Sequence, residues 1–191
     1  MGGIAVGKST LIEGLSNYFK GYPEEPESNP YIENLSHLEE STYLSQLYFL
    51  SKRFQSQLSA QYDEISVVER TIFEDAEIFA DYYRENGVIS DKQWEHYVGV
   101  YKAYCKIIKR PNLVIFIDAT SDDTIKLIRE RGRDSEKNID LEFVKSVLLA
   151  YRSWMDSWAG CPVIKLHTAE LIRSDATVDI YYEIIRHMAD R

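Results

Sequence analysis

Residues 1–10 read Met1-Gly2-Gly3-Ile4-Ala5-Val6-Gly7-Lys8-Ser9-Thr10. From Gly2 to Ser9 this fits Gly-x-x-x-x-Gly-Lys-Ser, the pattern of a phosphate-binding loop. Its glycines let successive backbone N–H groups turn inward and form a nest for phosphate oxygens. A helix that begins at Lys8 points its positive end at the same anion. Lys8 then reaches the β- and γ-phosphates, and the Ser9 hydroxyl suits a Mg²⁺ position. The loop therefore predicts an α/β fold and a nucleotide ligand. It does not choose the acceptor, because hydrolases, switches and small-molecule kinases all use it. A loop of this kind hangs between a buried strand and a helix, and the sequence as given opens on the loop itself.

Working outward, Lys8 to Phe19 predicts an amphipathic helix with Leu11, Ile12 and Leu15 on one side. "GYPEEPESNPY" (21–31) breaks regular structure with three prolines and an acidic cluster. Thr42 to Tyr62 predicts a helix, with Leu44, Leu47, Tyr48, Phe54 and Leu58 at helical spacing. "EISVVE" (64–69) is a short β-branched strand. Helices follow over Phe73–Glu85 and Asp91–Lys109, the second with Trp94, Tyr97, Val98, Tyr101 and Tyr104 on one broad face. "NLVIFID" (112–118) is an unbroken apolar run and the strongest strand. A helix over Asp122–Arg131, the polar tract "RERGRDSEKN", a helix over Asp140–Trp158, the strand "CPVIKL" (161–166) and a helix over Asp175–Arg191 complete the chain. Strands alternating with helices predict a parallel sheet with helices on both faces. No linker divides the 191 residues, so one domain over 1–191 is expected, with a lid at about 129–139.

Composition narrows the function. A formal net charge of −9 argues against a nucleic-acid partner bound by broad phosphate neutralisation, and no apolar run is long enough for a membrane span. Cys105 and Cys161 lack metal-ligand spacing and read as reduced thiols of a cytoplasmic protein. Strand "ISVVE" ends in Glu69-Arg70-Thr71, and ligands of parallel sheets bind beyond the carboxyl ends of strands. Glu24, Glu25 and Glu27 each offer a carboxylate to take a proton from an attacking hydroxyl. Arg129, Arg131 and Arg133, with Gly132 as a flexible point, form a basic knot suited to closing over a transferring phosphoryl group.

Taken in order, "GGIAVGKST", "EEPESNPY", "SQLYFLSKRFQSQL", "VVERTIFEDAEIFA" and "LIRERGRDSEKNIDLEF" resemble the deoxynucleoside kinase family, the deoxycytidine, deoxyguanosine and deoxyadenosine kinases and their insect and bacterial relatives. The likeness covers nearly the whole chain, apart from a first strand ahead of the loop. It implies a P-loop kinase fold, with transfer of the γ-phosphate of ATP, with Mg²⁺, to the 5′-hydroxyl of a deoxynucleoside in a homodimeric enzyme. Residue by residue, Glu25 in its Glu-Pro pair matches the general base, Arg70 the arginine that braces it, and Glu69 the acidic partner near Mg²⁺. Gln46 matches the glutamine on the base edge, and Arg53 and Asp75 match a pair found in deoxycytidine- and purine-preferring members. Glu136 matches the carboxylate that holds the sugar 3′-hydroxyl, and Arg131 and Arg133 match the lid cations. Tyr48, Phe49 and Phe79 are candidates for the apolar walls of the base pocket.

Two departures stand out. Where the family carries a sugar-contacting tyrosine the sequence has Leu35, Ser36 and His37, with Tyr31 further off. With the strand before the loop missing, a vacancy is expected in the sheet between "EISVVE" and "NLVIFID", and either residues upstream of Met1 in the native protein or a truncated reading of the chain is expected to account for it. Two rival readings remain: a nucleoside monophosphate kinase resembling thymidylate kinase, disfavoured because "EEPESNP" is acidic where a phosphate acceptor needs cations, and a non-catalytic accessory protein on the same fold, which would have no reason to keep Lys8, Glu25, Arg70 and Arg133 together.

Overall fold

The computed structural model describes residues 1–32, 39–133, 136, 139–171 and 176–189. In chain order its elements are α1 (Lys8–Leu15), β1 (Lys20–Tyr22), α2 (Glu39–Ala60), β2 (Ser66–Val68), α3 (Ile72–Glu74), α4 (Asp81–Glu85), α5 (Asp91–Cys105), β3 (Val114–Asp118), α6 (Ser121–Arg131), α7 (Leu141–Asp156), β4 (Val163–His167) and α8 (Ala176–Ala189). A π-helical segment, Asp75–Ala80, joins α3 to α4, and a 3₁₀ turn spans Pro26–Ser28. Packing gathers these into two compact units, one of residues 1–21 and 110–191, the other of residues 22–109. Among the described residues no helix is long and apolar enough to cross a membrane.

The first unit is built on β3 and β4, paired in parallel from Val114 opposite Val163 to Asp118 opposite His167. Val114, Phe116 and Ile117 are buried, as expected of an apolar run that faces no water. Met1 and Gly2 lie along β3 in parallel register: the Met1 amine donates to the Ile115 carbonyl at 2.7 Å, and Ile117 N–H donates to the Met1 carbonyl at 3.0 Å. The β3 side of the expected vacancy is thus partly paired by Met1 and Gly2. Helix α1 buries Leu11, Ile12 and Leu15 as the periodicity requires, but it stops at Leu15 rather than Phe19. The Ser16 hydroxyl bonds back to the Ile12 carbonyl at 2.7 Å, competing with the helix. Phe19 stays buried by stacking on Tyr181 of α8, centroids 5.5 Å apart.

Caps set the helix boundaries nearby. The Thr120 hydroxyl accepts from Asp123 N–H at 3.1 Å, Asp122 and Asp123 lie in the first turn of α6, Arg129 and Arg131 in its last, and Gly132 closes it at φ 65°. Asp140 caps α7 by accepting from Glu142 N–H at 3.0 Å. Helix α7 then buries Val144, Val147, Leu148, Tyr151 and Met155, a plain apolar stripe.

The second unit packs α2, β2, α3 and α5 together. Tyr22, the last residue of β1, accepts from Glu69 N–H at 3.0 Å, which fixes the end of β2. The predicted helix over Phe73–Glu85 is interrupted by the π-helical segment, a feature with no signature in hydrophobic period and one common at functional sites. Helix α2 differs from α7 in kind. Its buried residues are Thr42, Ser45, Gln46, Leu50, Arg53, Gln57 and Ala60, at helical spacing but mostly polar. Leu44, Leu47, Tyr48, Phe54 and Leu58 are only half-buried, Phe54 stacking on Tyr104 of α5 at 3.9 Å.

Candidate active site

In the first unit the segment from Gly2 to Thr10, the expected phosphate loop, turns tightly into the start of α1. A Cβ on Gly2 would stand 2.5 Å from the Ile117 carbonyl oxygen, so only glycine admits this approach to β3. Gly7, at φ 99°, is the last residue before α1 and turns the chain into it. Ala5 holds φ 56°, a left-handed conformation costing about 1–2 kcal/mol outside glycine. Ile4 is half-buried and Val6 fully buried, anchoring the loop from beneath. The Val6 carbonyl accepts from the Thr168 hydroxyl at 3.0 Å. Lys8 is buried, its ammonium donating to the Gly3 carbonyl at 2.5 Å inside the loop. Ser9 and Thr10 are exposed in the first turn of α1.

The lid residues belong to the same unit. Arg131 forks onto the Glu136 carboxylate, its Nη2 at 2.5 and 2.6 Å from the two oxygens and its Nε at 3.2 Å. Arg133 Nη1 lies 3.9 Å from the same carboxylate. The residue expected on the sugar and the two expected on phosphate are therefore joined. Residues 134, 135, 137 and 138 of the lid, and Leu35, Ser36 and His37, lie outside the described residues.

In the second unit the buried face of α2 meets a cluster of charge. Glu24 bridges two guanidiniums: one carboxylate oxygen pairs with Arg53 Nη2, the other with Arg70 Nε at 2.7 Å. Its own N–H donates to the Glu69 carboxylate at 2.9 Å. Arg53 Nη1 lies 2.9 Å from Asp75 Oδ2, and Arg70 Nη1 lies 3.7 Å from Glu74. Arg53 sits over Phe49 at 4.5 Å from the ring centre, and Arg70 over Phe79 at 4.7 Å. Arg53, Arg70, Glu69, Glu74 and Asp75 are all buried. Glu74 also closes a capping box with Thr71, and the Gln57 side chain accepts from Ile72 N–H at 2.7 Å. The Tyr48 hydroxyl bonds Ser28 at 3.1 Å, and Asn29 bonds the Ser45 hydroxyl at 2.8 Å.

Burial pushes the Asp75 carboxyl up to about 8, with Arg53 and Arg70 pulling it down and Glu24 and Glu74 adding to the rise. The adjacent Arg53 does pull Asp75 down, but the loss of solvation on burial outweighs it.

Most buried polar groups here are satisfied, and the exceptions are informative. Gln46 Oε1, Arg53 Nε and Nη1, and Asp75 Oδ2 have no hydrogen-bond partner among the described residues, the Arg53–Asp75 contact being close but misaligned. Buried groups left over in this way are rare and costly. They belong to the three side chains that the sequence assigns to reading a base.

The structure thus brings Gln46, Arg53, Asp75, Arg70, Glu69, Tyr48 and Phe79 into one unit. Glu25 stands apart. Its side chain is exposed and its carbonyl accepts from Ser28, while the neighbouring Glu24 carries the ion pairs. Composition could not tell these adjacent glutamates apart. The backbone does, turning at Glu25 into the 3₁₀ segment. Glu74 was legible as the fourth residue of Thr71-x-x-Glu74, whereas the roles of Glu24 and Gln57 depend on contacts distant in sequence. Among the described residues no three or more His, Cys, Asp or Glu side chains are grouped so as to hold a metal ion.

A family model described as Deoxynucleoside kinase matches residues 1–189. The deoxyadenosine/deoxycytidine kinase of Bacillus subtilis is 30% identical over 171 residues, 86% of this chain and 79% of that protein. The deoxyadenosine kinase of Dictyostelium discoideum is 28% identical over 193 residues, 97% of this chain and 78% of that protein. In fold, a solved structure of M. mycoides deoxyadenosine kinase superposes with a TM-score of 0.84 at 20% identity, covering 97% of this chain and 96% of that one. The chain belongs to the deoxynucleoside kinase family.

Proposed function

We propose that the chain transfers the γ-phosphate of ATP to the 5′-hydroxyl of a purine deoxynucleoside or deoxycytidine, giving the 5′-monophosphate, and that residues 1–191 work as one kinase domain. The observation that carries the substrate class is the buried set Gln46, Arg53 and Asp75 with hydrogen-bonding atoms left over. A planar base with an amide-like edge and an amino group satisfies such atoms, and a base lacking them leaves them unpaired. The relatives named as deoxyadenosine and deoxycytidine kinases support the same preference.

Each residue has a task within this reading. The backbone N–H groups of Gly2 to Thr10 cradle the phosphates, and Lys8 exchanges the Gly3 carbonyl for a phosphate oxygen. Arg131 and Arg133 neutralise charge as it develops on the transferring group. Glu136, already paired with Arg131, offers its carboxylate to the sugar 3′-hydroxyl, so sugar binding and lid charge are coupled. Glu25, exposed and without an arginine clamp, takes the proton of the 5′-hydroxyl, while Arg70 steadies the reacting end. Tyr48 and Phe79 wall the base. The Ser9 hydroxyl and the Glu69 carboxylate are hard oxygen donors suited to Mg²⁺, which, bound with ATP, supplies charge neutralisation at the phosphates. The half-buried apolar residues of α2 and α5 support a homodimer joined through these helices. A cytoplasmic location fits Cys105 and Cys161, which form no disulfide.

The test is phosphorylation of the natural deoxynucleosides with ATP and Mg²⁺, beside the matching monophosphates, and sedimentation at micromolar concentration. Turnover of deoxyadenosine, deoxyguanosine or deoxycytidine above thymidine, by a dimer, is expected. Turnover of monophosphates alone, or none at all with ATP unbound, would overturn the assignment, and a monomer would remove the dimer.

A further inference from the structure

Tyr97 of α5 is fully buried, yet its hydroxyl has no hydrogen-bond partner among the described residues. Its ring stacks on Trp94 with centroids 5.9 Å apart and planes 7° from parallel, which holds the ring in place. In the second unit, the other described buried side-chain atoms without a partner belong to Gln46, Arg53 and Asp75. Asp75 and Arg53 both act electrostatically on the Tyr97 hydroxyl, and Tyr101 adds to the effect. A dry core position with no use for a hydroxyl would be filled as well by phenylalanine, since an unbonded buried hydroxyl only destabilises.

We propose that Tyr97 is a positioning residue for base selection: its hydroxyl donates to the Asp75 carboxylate when a nucleoside is bound, keeping Asp75 an acceptor for an exocyclic amino group. The proposal rests on reading this face as the nucleoside site. Asp75 feels the charges of Arg53 from α2, Glu24 from the loop before it, Arg70 from the segment after β2 and Glu74 from α3, and Tyr97 of α5 in turn feels the charge of Asp75. Four charged groups and its own burial decide the state of Asp75. With Glu24 and Glu74 adding negative charge and burial disfavouring ionisation, the free carboxyl is held high. A protonated Asp75 would present an O–H and suit an oxo base, whereas an ionised one accepts from an amino base. A neutral hydroxyl donating to it favours the ionised form without adding charge. Burial keeps the Tyr97 hydroxyl protonated, and so able to donate, throughout the working range of pH.

Matched substrates test this: deoxyadenosine against deoxyinosine, and deoxycytidine against deoxyuridine, each pair differing by amino for oxo. In Tyr97→Phe the amino-over-oxo ratio of kcat/KM should fall about tenfold, the effect of losing one hydrogen bond to a charged group. The loss should lie in KM for the amino substrates, with kcat within about twofold of wild type. Because the hydroxyl has no partner among the described residues, the variant should melt at or above wild type. In an Asp75→Asn background, Tyr97→Phe should change the ratio no further. An unchanged ratio, an equal loss on amino and oxo substrates, or a full effect in the Asp75→Asn background would each overturn the proposal. So would a lower melting temperature, which would mean that the hydroxyl is already bonded in the free protein. A wild type that phosphorylates none of the four nucleosides would instead bring down the nucleoside kinase reading beneath it.

Discussion

Helices α7 and α2 are both long, 16 and 22 residues, and both bury a stripe at helical spacing. The α7 stripe is Val144, Val147, Leu148, Tyr151 and Met155, and its burial holds the first unit together. The α2 stripe is Thr42, Ser45, Gln46, Leu50, Arg53, Gln57 and Ala60. Part of it serves the fold: Ser45 holds Asn29, and Gln57 holds the start of α3. The middle, Gln46 and Arg53, keeps atoms that nothing in the described protein satisfies. A helix that only had to pack would not carry them, since each costs roughly 1–3 kcal/mol. On the proposed reading, the difference separates stability, vested in α7, from recognition, vested in α2. Changes on α7 should therefore melt the protein without altering its chemistry, and changes around α2 should do the reverse.

The largest effect should come from the loop that feeds the α2 cluster. Glu25→Gln should lower kcat about 10²- to 10⁴-fold, the range for loss of a general base, with nucleoside binding largely kept. Glu24→Gln removes an ion-pair partner of Arg53 and Arg70 rather than a proton acceptor, and should act mainly on KM, about tenfold. If steady-state kinetics give the reverse order, the base is Glu24 and the arginine clamp is part of the chemistry.

Next in size is the pair proposed to read the base, Arg53 and Asp75. Arg53→Met with Asp75→Ala should cost about 10²- to 10³-fold in kcat/KM on deoxyadenosine or deoxycytidine, from two lost charge-assisted bonds, and raise the relative activity on thymidine. The two are truncated together so that neither buried partner is left facing a gap, a loss that costs about 3–5 kcal/mol. Unaltered selectivity between thymidine and the amino-bearing substrates would move recognition away from α2.

The same contrast explains what the sequence could and could not tell. Helix α7 was legible because apolar period and cap agree: Asp140 starts it and the valines and leucines follow at three and four residue steps. The loop from Gly2 to Thr10 was legible because its chemistry is local. The α2 stripe was not legible from periodicity, since the apolar residues at helical spacing, Leu44, Leu47, Tyr48, Phe54 and Leu58, lie off the buried face. Gln46, Arg53 and Asp75 came from likeness to a family, not from pattern. The π-helical turn that opens with Asp75 has no compositional sign, and the bridge made by Glu24 joins residues 29 and 46 positions apart. Tertiary contact decides such features, and a linear reading cannot weigh it.

On the α7 side, Met155→Ala should remove about 2–5 kcal/mol of stability, as buried methionine truncations do. Met155 is buried and touches the chemistry in no way that the described contacts record. Denaturant melts should show the loss while kcat/KM at low temperature stays near wild type. A fall in kcat/KM with unchanged stability would break the division between the two helices.

The smallest expected effect refines that division within the first unit. There too a buried polar side chain lies beside the site, but it is satisfied. Thr168, just after β4, donates its hydroxyl to the Val6 carbonyl at 3.0 Å, and both residues are buried. Leu171 braces the same loop, reaching to 3.0 Å of where a Cβ on Gly7 would stand. Thr168→Val keeps the shape and deletes the one bond, leaving a buried carbonyl without its donor. The loop then loses about 1 kcal/mol of restraint, and KM for ATP should rise about fivefold, with kcat and the nucleoside KM unchanged. Titrating ATP at saturating nucleoside, and nucleoside at saturating ATP, measures the two separately. If both KM values rise together, the loop and the α2 cluster are energetically one site and the separation drawn from the two helices is too sharp. If ATP alone is affected, the polar side chains of the first unit act by holding the backbone of the loop, whereas those of the second act by meeting a ligand.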